Sequence, residues 1–395
     1  MRKTIATILV VLVAVMTVAA VPVRFIFADL NQHTELLSGF LPTYTLVGAG
    51  FDFSGDSENT SELQTLVGGG FTQRRVWQNP VTGKVDLELN KKDDGKVMGI
   101  TYDVIQSDLM LRYIQGMLDD KLTFRFGLEG KFEKNQDSFK KDKNASLDTF
   151  LGSTADGIYK EDIYPDLTGN KMSLGAILNL RIKYDIMDDT LVTSDGFETY
   201  LDLRWAPGFI NSFNGFGRAD FYSISFNAVA AKTLYEVKTD KWRWFSIVLI
   251  DRANINWTDG KDVPVYAQGA VSLGRKVRGY NTNTYNMQFT AVNNLDLRLA
   301  LPPMGTDQIR PRINLFLDFG YGCGEYHNTD YTAKDMLETS KAAGQQWLGS
   351  VGAQFEMSFW DMIDLGYQIA YIFNGETFTQ AGATIKTGFT FFLDF

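Results

Sequence analysis

Two neighbouring stretches of this chain alternate apolar and polar residues with period two. From Tyr285 the odd positions Tyr285, Met287, Phe289, Ala291, Leu295, Leu297 and Leu299 are apolar, and Asn286, Gln288, Thr290, Asn294, Asp296 and Arg298 hold most of the even ones. After a Pro/Gly turn, Ile313, Leu315, Leu317, Phe319 and Tyr321 alternate with Asn314, Phe316, Asp318, Gly320 and Gly322. Period two places successive side chains on opposite faces of a strand, so one face of each segment suits an apolar medium and the other suits water. A soluble sandwich produces the same alternation, and the two segments by themselves do not separate it from a membrane barrel.

The same signal recurs along the chain. Strands are predicted near 44–54, 67–75, 98–113, 122–132, 172–184, 199–205, 221–231, 243–257, 348–359 and 365–373, with a final strand over 384–395. The clearest is 172–184, where Met172, Leu174, Ala176, Leu178, Leu180, Ile182 and Tyr184 share one face, enough for a tilted span of a bilayer. Gly48 and Gly50 allow close backbone approach on the first strand, and Arg125 and Glu129 point toward water. Residues 76–96 read as a solvated connection, while 134–171 and 323–347 read as long polar loops. Long loops fall at one end of the strands and the turns 301–310 and 360–364 at the other, which puts the long loops outside the cell. Trp242 and Trp244 near one end and Trp257 near the other suit two interfacial aromatic belts.

Both termini decide between the two fold classes. Arg2 and Lys3 precede an uncharged run from Thr4 to Ala20, the layout of an export signal cut after Ala20. The expected organisation is a signal peptide over 1–20, a periplasmic lead or lumenal segment over 21–43, and an outer-membrane β-barrel over 44–395. At the other end Ile385, Phe389, Phe391, Leu393 and Phe395 share one face with Thr387. A chain that ends on an apolar strand is natural when that strand closes a barrel, because an open edge is an aggregation hazard. The fold class expected is therefore all-β, a transmembrane antiparallel barrel, and the length left after the expected cut suits 14 to 18 strands.

Composition narrows the function. Of 38 basic residues, removal of Arg2 and Lys3 leaves 36 against 47 acidic ones, a net charge of −11 that argues against a nucleic-acid partner. One cysteine, Cys323, and two histidines, His33 and His327, give neither a disulfide nor a metal-ligand spacing, and no Ser/His/Asp set is present. No cofactor and no enzymatic activity are expected.

The terminal strand, with Phe389, Phe391, Leu393 and Phe395, resembles the targeting signal read by barrel-assembly machinery, and these four residues are assigned as an assembly signal. The stretch before the first alternating segment contains Val277, Arg278, Gly279 and Tyr280, followed by Leu295, Asp296, Leu297, Arg298 and Pro302, then Phe316, Asp318, Phe319 and Gly320. In that order these elements resemble the family of bacterial surface antigens, outer-membrane insertases and two-partner secretion transporters, with a BamA/TamA-like barrel. The resemblance is strongest over 264–395. It implies sixteen strands, eleven of them before Gly274, and a loop folded into the lumen, with Arg278, Gly279, Tyr280, Asp318 and Gly320 as a lumenal lock. A guanidinium can fork onto a carboxylate, which is the chemical reason for pairing Arg278 with Asp318.

The loop between Gly274 and Tyr285 is short for that family, and the chain after the expected cut leaves no room for periplasmic POTRA domains. The expected function is protein assembly or translocation with separate partners: an unfolded protein client, periplasmic chaperones, the barrel-assembly machinery, and outer-membrane lipid including lipopolysaccharide. Two readings from other classes stand beside it. One is a diffusion porin favouring cations if Asp296, Asp318 and Glu356 face an open lumen. The other is a surface adhesin or antigen that works through its long loops.

Overall fold

In a computed structural model, the structure describes residues 22–28, 44–76, 100–137, 172–190, 192–211, 219–238, 243–261, 263–264, 267, 276–279, 288–305, 308–323, 345–359, 363–373 and 385–393. They form fifteen strands: β1 (Val23–Ala28), β2 (Tyr44–Asp52), β3 (Ser61–Val76), β4 (Ile100–Met117), β5 (Leu122–Asp137), β6 (Met172–Asp185), β7 (Asp188–Asp189), β8 (Ser194–Ala206), β9 (Asp220–Lys238), β10 (Arg243–Lys261), β11 (Phe289–Ala300), β12 (Ile309–Cys323), β13 (Gln345–Phe359), β14 (Ile363–Ile372) and β15 (Ile385–Leu393). All belong to one sheet, in which fourteen follow chain order and β7 pairs only with β8. Every ladder is antiparallel, from β1–β2 through β14–β15.

The sheet is apolar outside and polar inside. Val47, Val67, Ile105, Leu109, Leu111, Phe126, Leu128, Leu178, Ile224, Phe226, Leu315, Phe319, Phe355 and Ile369 are exposed, whereas Glu62, Asp108, Glu129, Glu133, Asp296, Arg312, Asp318 and Glu356 are buried on the other face. A water-soluble sandwich would show the reverse. Hydrocarbon on the outside and a hydrogen-bonded interior produce this arrangement, since only sheet that satisfies its own backbone tolerates lipid.

Connections between strands sort by length. The short intervals 53–60, 118–121, 186–193, 239–242, 301–308 and 360–362 fall at one end, and the longer intervals 29–43, 77–99, 138–171, 207–219, 262–288, 324–344 and 373–384 fall at the other. At the long-interval end, outward aromatics pack in pairs: Trp205 with Phe209 at 6.1 Å, Tyr222 with Trp257 at 5.2 Å, Tyr321 with Trp347 at 4.5 Å and Phe319 with Phe373 at 6.3 Å. Tyr235 and Phe245, 6.3 Å apart, lie toward the short-interval end. This is the distribution that two interfacial girdles would have. Trp257 takes part in one; Trp244 lies in β10, and Trp242 lies outside the described residues.

Several expectations shift. The segment 21–43, read as a lead or lumenal strap, contributes the wall strand β1, paired with β2 from Val23↔Phe51 to Ala28↔Leu46. Its Arg24 forks onto buried Glu62 at 2.5 and 2.6 Å, and a Cβ on Gly50 would stand 1.9 Å from the Glu62 carboxylate. That glycine leaves the space for the pair. Strand β9 runs to Lys238, beyond the predicted Ala231, because its alternation is broken where Tyr235↔Ile247 is followed by Thr233↔Val248 and Leu234 bulges out of register. Likewise β3 begins at Ser61 and β5 ends at Asp137, past their predicted limits.

Nine strands of the path precede Gly274 among the described residues, against the eleven implied by the family resemblance, and five follow it. Each interior strand is already paired on both edges, so only the outer edges of β1 and β15 are open to a further strand.

Candidate functional site

The interval between β10 and β11 returns to the inner wall. Its described residues Lys276–Gly279 sit against β11, β12 and β14. The Lys276 carbonyl accepts a hydrogen bond from Asn294 Nδ2 at 2.6 Å, and Val277 is fully buried. These contacts fix the loop immediately before Arg278.

Arg278 and Asp318 meet through three donors. The Arg278 backbone N–H donates to Oδ2 at 2.8 Å, Nε to the same oxygen at 2.9 Å, and Nη2 to Oδ1 at 2.6 Å. Its Nη2 also donates to Asp296 Oδ1 at 2.5 Å, and the guanidinium lies 4.0 Å from the centre of the Phe316 ring. A cation on the face of an aromatic ring, forked onto a carboxylate at 0% exposure, uses both recognition surfaces of arginine. Burial opposes the charge, while the Asp318 hydrogen bond and the proximity of Asp296 and Asp318 more than offset it, so the guanidinium stays above its ordinary value.

The neighbouring residues make the seat. Period two brings Asp296 and Arg298 of β11, and Asn314, Phe316, Asp318 and Gly320 of β12, to the inner face, and the register Asp296↔Phe316 sets them side by side. Phe316 fits because Gly352 opposite has no side chain; a Cβ there would approach its ring to 2.6 Å. Gly279 has φ of +89°, and a Cβ on it would meet Ala370 at 2.8 Å and Ile372 at 2.9 Å. Both the turn and the close approach exclude a side chain. Gly320 is buried between Val292 and Leu348, its register partners.

Arg252 of β10 is the residue that sequence reasoning missed. Its Nη1 donates to Asp296 Oδ2, so Asp296 is held by Arg252 on one oxygen and Arg278 on the other. Register across β10 and β11 creates this sharing, and a single sequence does not display register. Lys276, next to Arg278, has its ammonium lowered to about 8 by burial. Closer to the short-interval end, Arg312 donates to Asp364 at 2.7 Å and lies 3.6 Å from Glu356, which also accepts from Asn314 and Gln354.

Of the residues singled out from sequence, the structure brings Arg278, Gly279 and Asp318 into one seat and puts Gly320 two residues further along the same inner face. Tyr280 and Phe395 lie outside the described residues. Phe389 is exposed at 75% on the outer wall, with its ring 5.0 Å from Tyr367, and Phe391 and Leu393 pair in register with Leu365 and Ile363. Among the described residues no group of His, Cys, Asp and Glu could hold a metal ion.

Comparison with known proteins gives a match to the Omp85 superfamily domain over residues 46–387. No curated protein matches. A solved structure of BamA from Haemophilus ducreyi lacking POTRA domains 1-3 is similar over 88% of this chain, with 12% identity and a TM-score of 0.47. This chain covers 61% of the length of that one.

Proposed function

The chain belongs to the Omp85 superfamily and is an outer-membrane β-barrel, and from that premise we propose that it inserts or translocates unfolded polypeptide supplied by periplasmic partners. In this reading Arg278, Gly279 and Asp318 form a lumenal lock, and Gly320 belongs to the wall on which the loop rests; Tyr280, the remaining member of the expected lock, follows Gly279 in the chain and lies outside the described residues. The sheet closes through β1 and β15; a sixteen-stranded barrel would take its two further strands at that seam. Phe389, Phe391, Leu393 and Phe395 act as the assembly signal in the chain's own biogenesis.

The observation that carries this reading is the triple hydrogen bond from Arg278 to fully buried Asp318 inside the wall. It argues against a cation-selective pore. Of the three acids that such a pore would present, Asp296 and Asp318 are taken up by Arg252 and Arg278, and Glu356 lies within an ion-pair distance of Arg312. Neutralised acids give little selectivity.

The test is co-reconstitution in liposomes with a urea-denatured barrel client. Client folding is expected to run several-fold faster than in protein-free liposomes, with the gain lost in Asp318→Ala. Folding at the protein-free rate, together with steady ohmic conductance, would favour the porin instead.

A further inference from the structure

We propose that the lipid-facing wall of β9, β10 and β11 is a contact surface for a second copy of this chain, centred on Asp251 and Asn293. Both side chains are exposed on the outer face, where the apolar alternation of β10 and β11 is broken. Leu249, Ile255 and Leu295 around them are exposed hydrophobics of the lipid-facing wall. Along β10, Asp251 lies six residues from Phe245 in one aromatic girdle and six from Trp257 in the other. It therefore stands at mid-depth, where hydrocarbon offers neither water nor a hydrogen-bond donor. An ionisable group there is costly and calls for a partner.

The wall itself supplies only part of that partner. Asn293 Nδ2 donates to Asp251 Oδ1 at 2.6 Å, and its other contact, to the Arg252 carbonyl, is long at 3.4 Å. Among the described residues no donor reaches Asp251 Oδ2. Each copy thus has one amide proton poorly used and one carboxylate oxygen unused, which is a self-complementary set. A two-fold axis beside the pair lets each Asn293 bridge its own Asp251 and that of the other copy.

The surrounding surface permits the approach. The neighbouring outward positions are small: Ala228 and Ala230 on β9, Ala253 on β10, which pairs with Asn293, and Ala291 on β11. Small residues let two walls come close enough for hydrogen bonds within lipid. Lys232 on the same face donates to Asp195 at 2.7 Å and extends the polar strip toward the short-interval end.

The experiment uses the full chain in its native membrane, with Cys323→Ser and Ala253→Cys. Oxidation is expected to produce a dimer-sized band, and native mass spectrometry from nanodiscs a matching dimer. Asp251→Leu and Asn293→Leu should each abolish both while the barrel still shows heat-modifiable migration, because each makes the wall more apolar. Leu295→Cys provides a second cross-linking site should the first variant fold poorly. A monomer at both sites, a cross-link only to a different protein, or a dimer unchanged by Asp251→Leu would overturn the proposal.

Discussion

Arg278 delivers a backbone N–H, Nε and Nη2 to the carboxylate of Asp318, at 2.8, 2.9 and 2.6 Å. The acceptor has no exposure of its own, so breaking the pair leaves a buried charge rather than a hydrated one. Removal of one partner from a buried ion pair costs about 3 to 5 kcal/mol. Arg278→Ala should therefore destabilise the folded barrel on that scale, and the double variant with Asp318→Ala should cost less than the sum of the two single changes. Arg278→Lys retains charge but loses the planar fork, and should fall close to alanine. Urea titration read by heat-modifiable migration gives all four values, and additive effects would count against the pairing.

Gly279 offers a test that leaves the charges alone. Gly279→Ala meets both the +89° φ and the contacts with Ala370 and Ile372, and strain at such a position costs about 1 to 3 kcal/mol. The loop should unseat while Arg278 and Asp318 are both present. Adding Ala370→Gly relieves the nearer contact but not the dihedral, so rescue should be partial; complete rescue would assign the glycine to space alone.

The inside-out pattern of the wall was legible in the sequence because lipid imposes it residue by residue, as in 172–184. Strand β1 was not, since six residues with Arg24 facing inward offer little alternation to read. The continuation of β9 was hidden by the bulge at Leu234, which shifts the period without ending the strand. At the site, the order of Arg278 and Asp318 along the chain was visible, whereas Asp296 and Arg252 entered through cross-strand register, a property of the folded sheet.

Arg252 has an effect of opposite sign to that of Asp318. When the loop is seated, Arg252 and Arg278 balance Asp296 and Asp318; when it leaves, Arg252 still covers Asp296 and only Asp318 is left without its cation. Without Arg252, release would strand two carboxylates instead of one. Arg252→Gln should therefore slow unseating of the loop by several-fold, read as labelling of a cysteine at 277, and Asp296→Asn should erase the difference. Faster unseating in Arg252→Gln would assign that arginine to holding the wall in shape.

Lys276 sets a pH dependence. Burial lowers its ammonium from 10.5 to about 8, so between those values the released loop binds more protons than the seated one. The seat should strengthen as pH rises from about 8 to 10.5, reach its full contribution above that window, and lose that contribution as pH falls through 8. Lys276→Met should flatten the profile of loop protection against pH. A wild-type profile already flat over that window would contradict the assignment.

The most direct test of the account is the accessibility of position 277 in intact outer membranes, using Val277→Cys with Cys323→Ser. Val277 has no exposed surface when the loop is seated. A membrane-impermeant maleimide should label the cysteine slowly in an otherwise native barrel, and far faster once Asp318→Ala removes the carboxylate that Arg278 holds. Rapid labelling in both, at the rate of a cysteine placed in an exposed loop, would mean that the loop stands in solvent and that no lumenal lock exists.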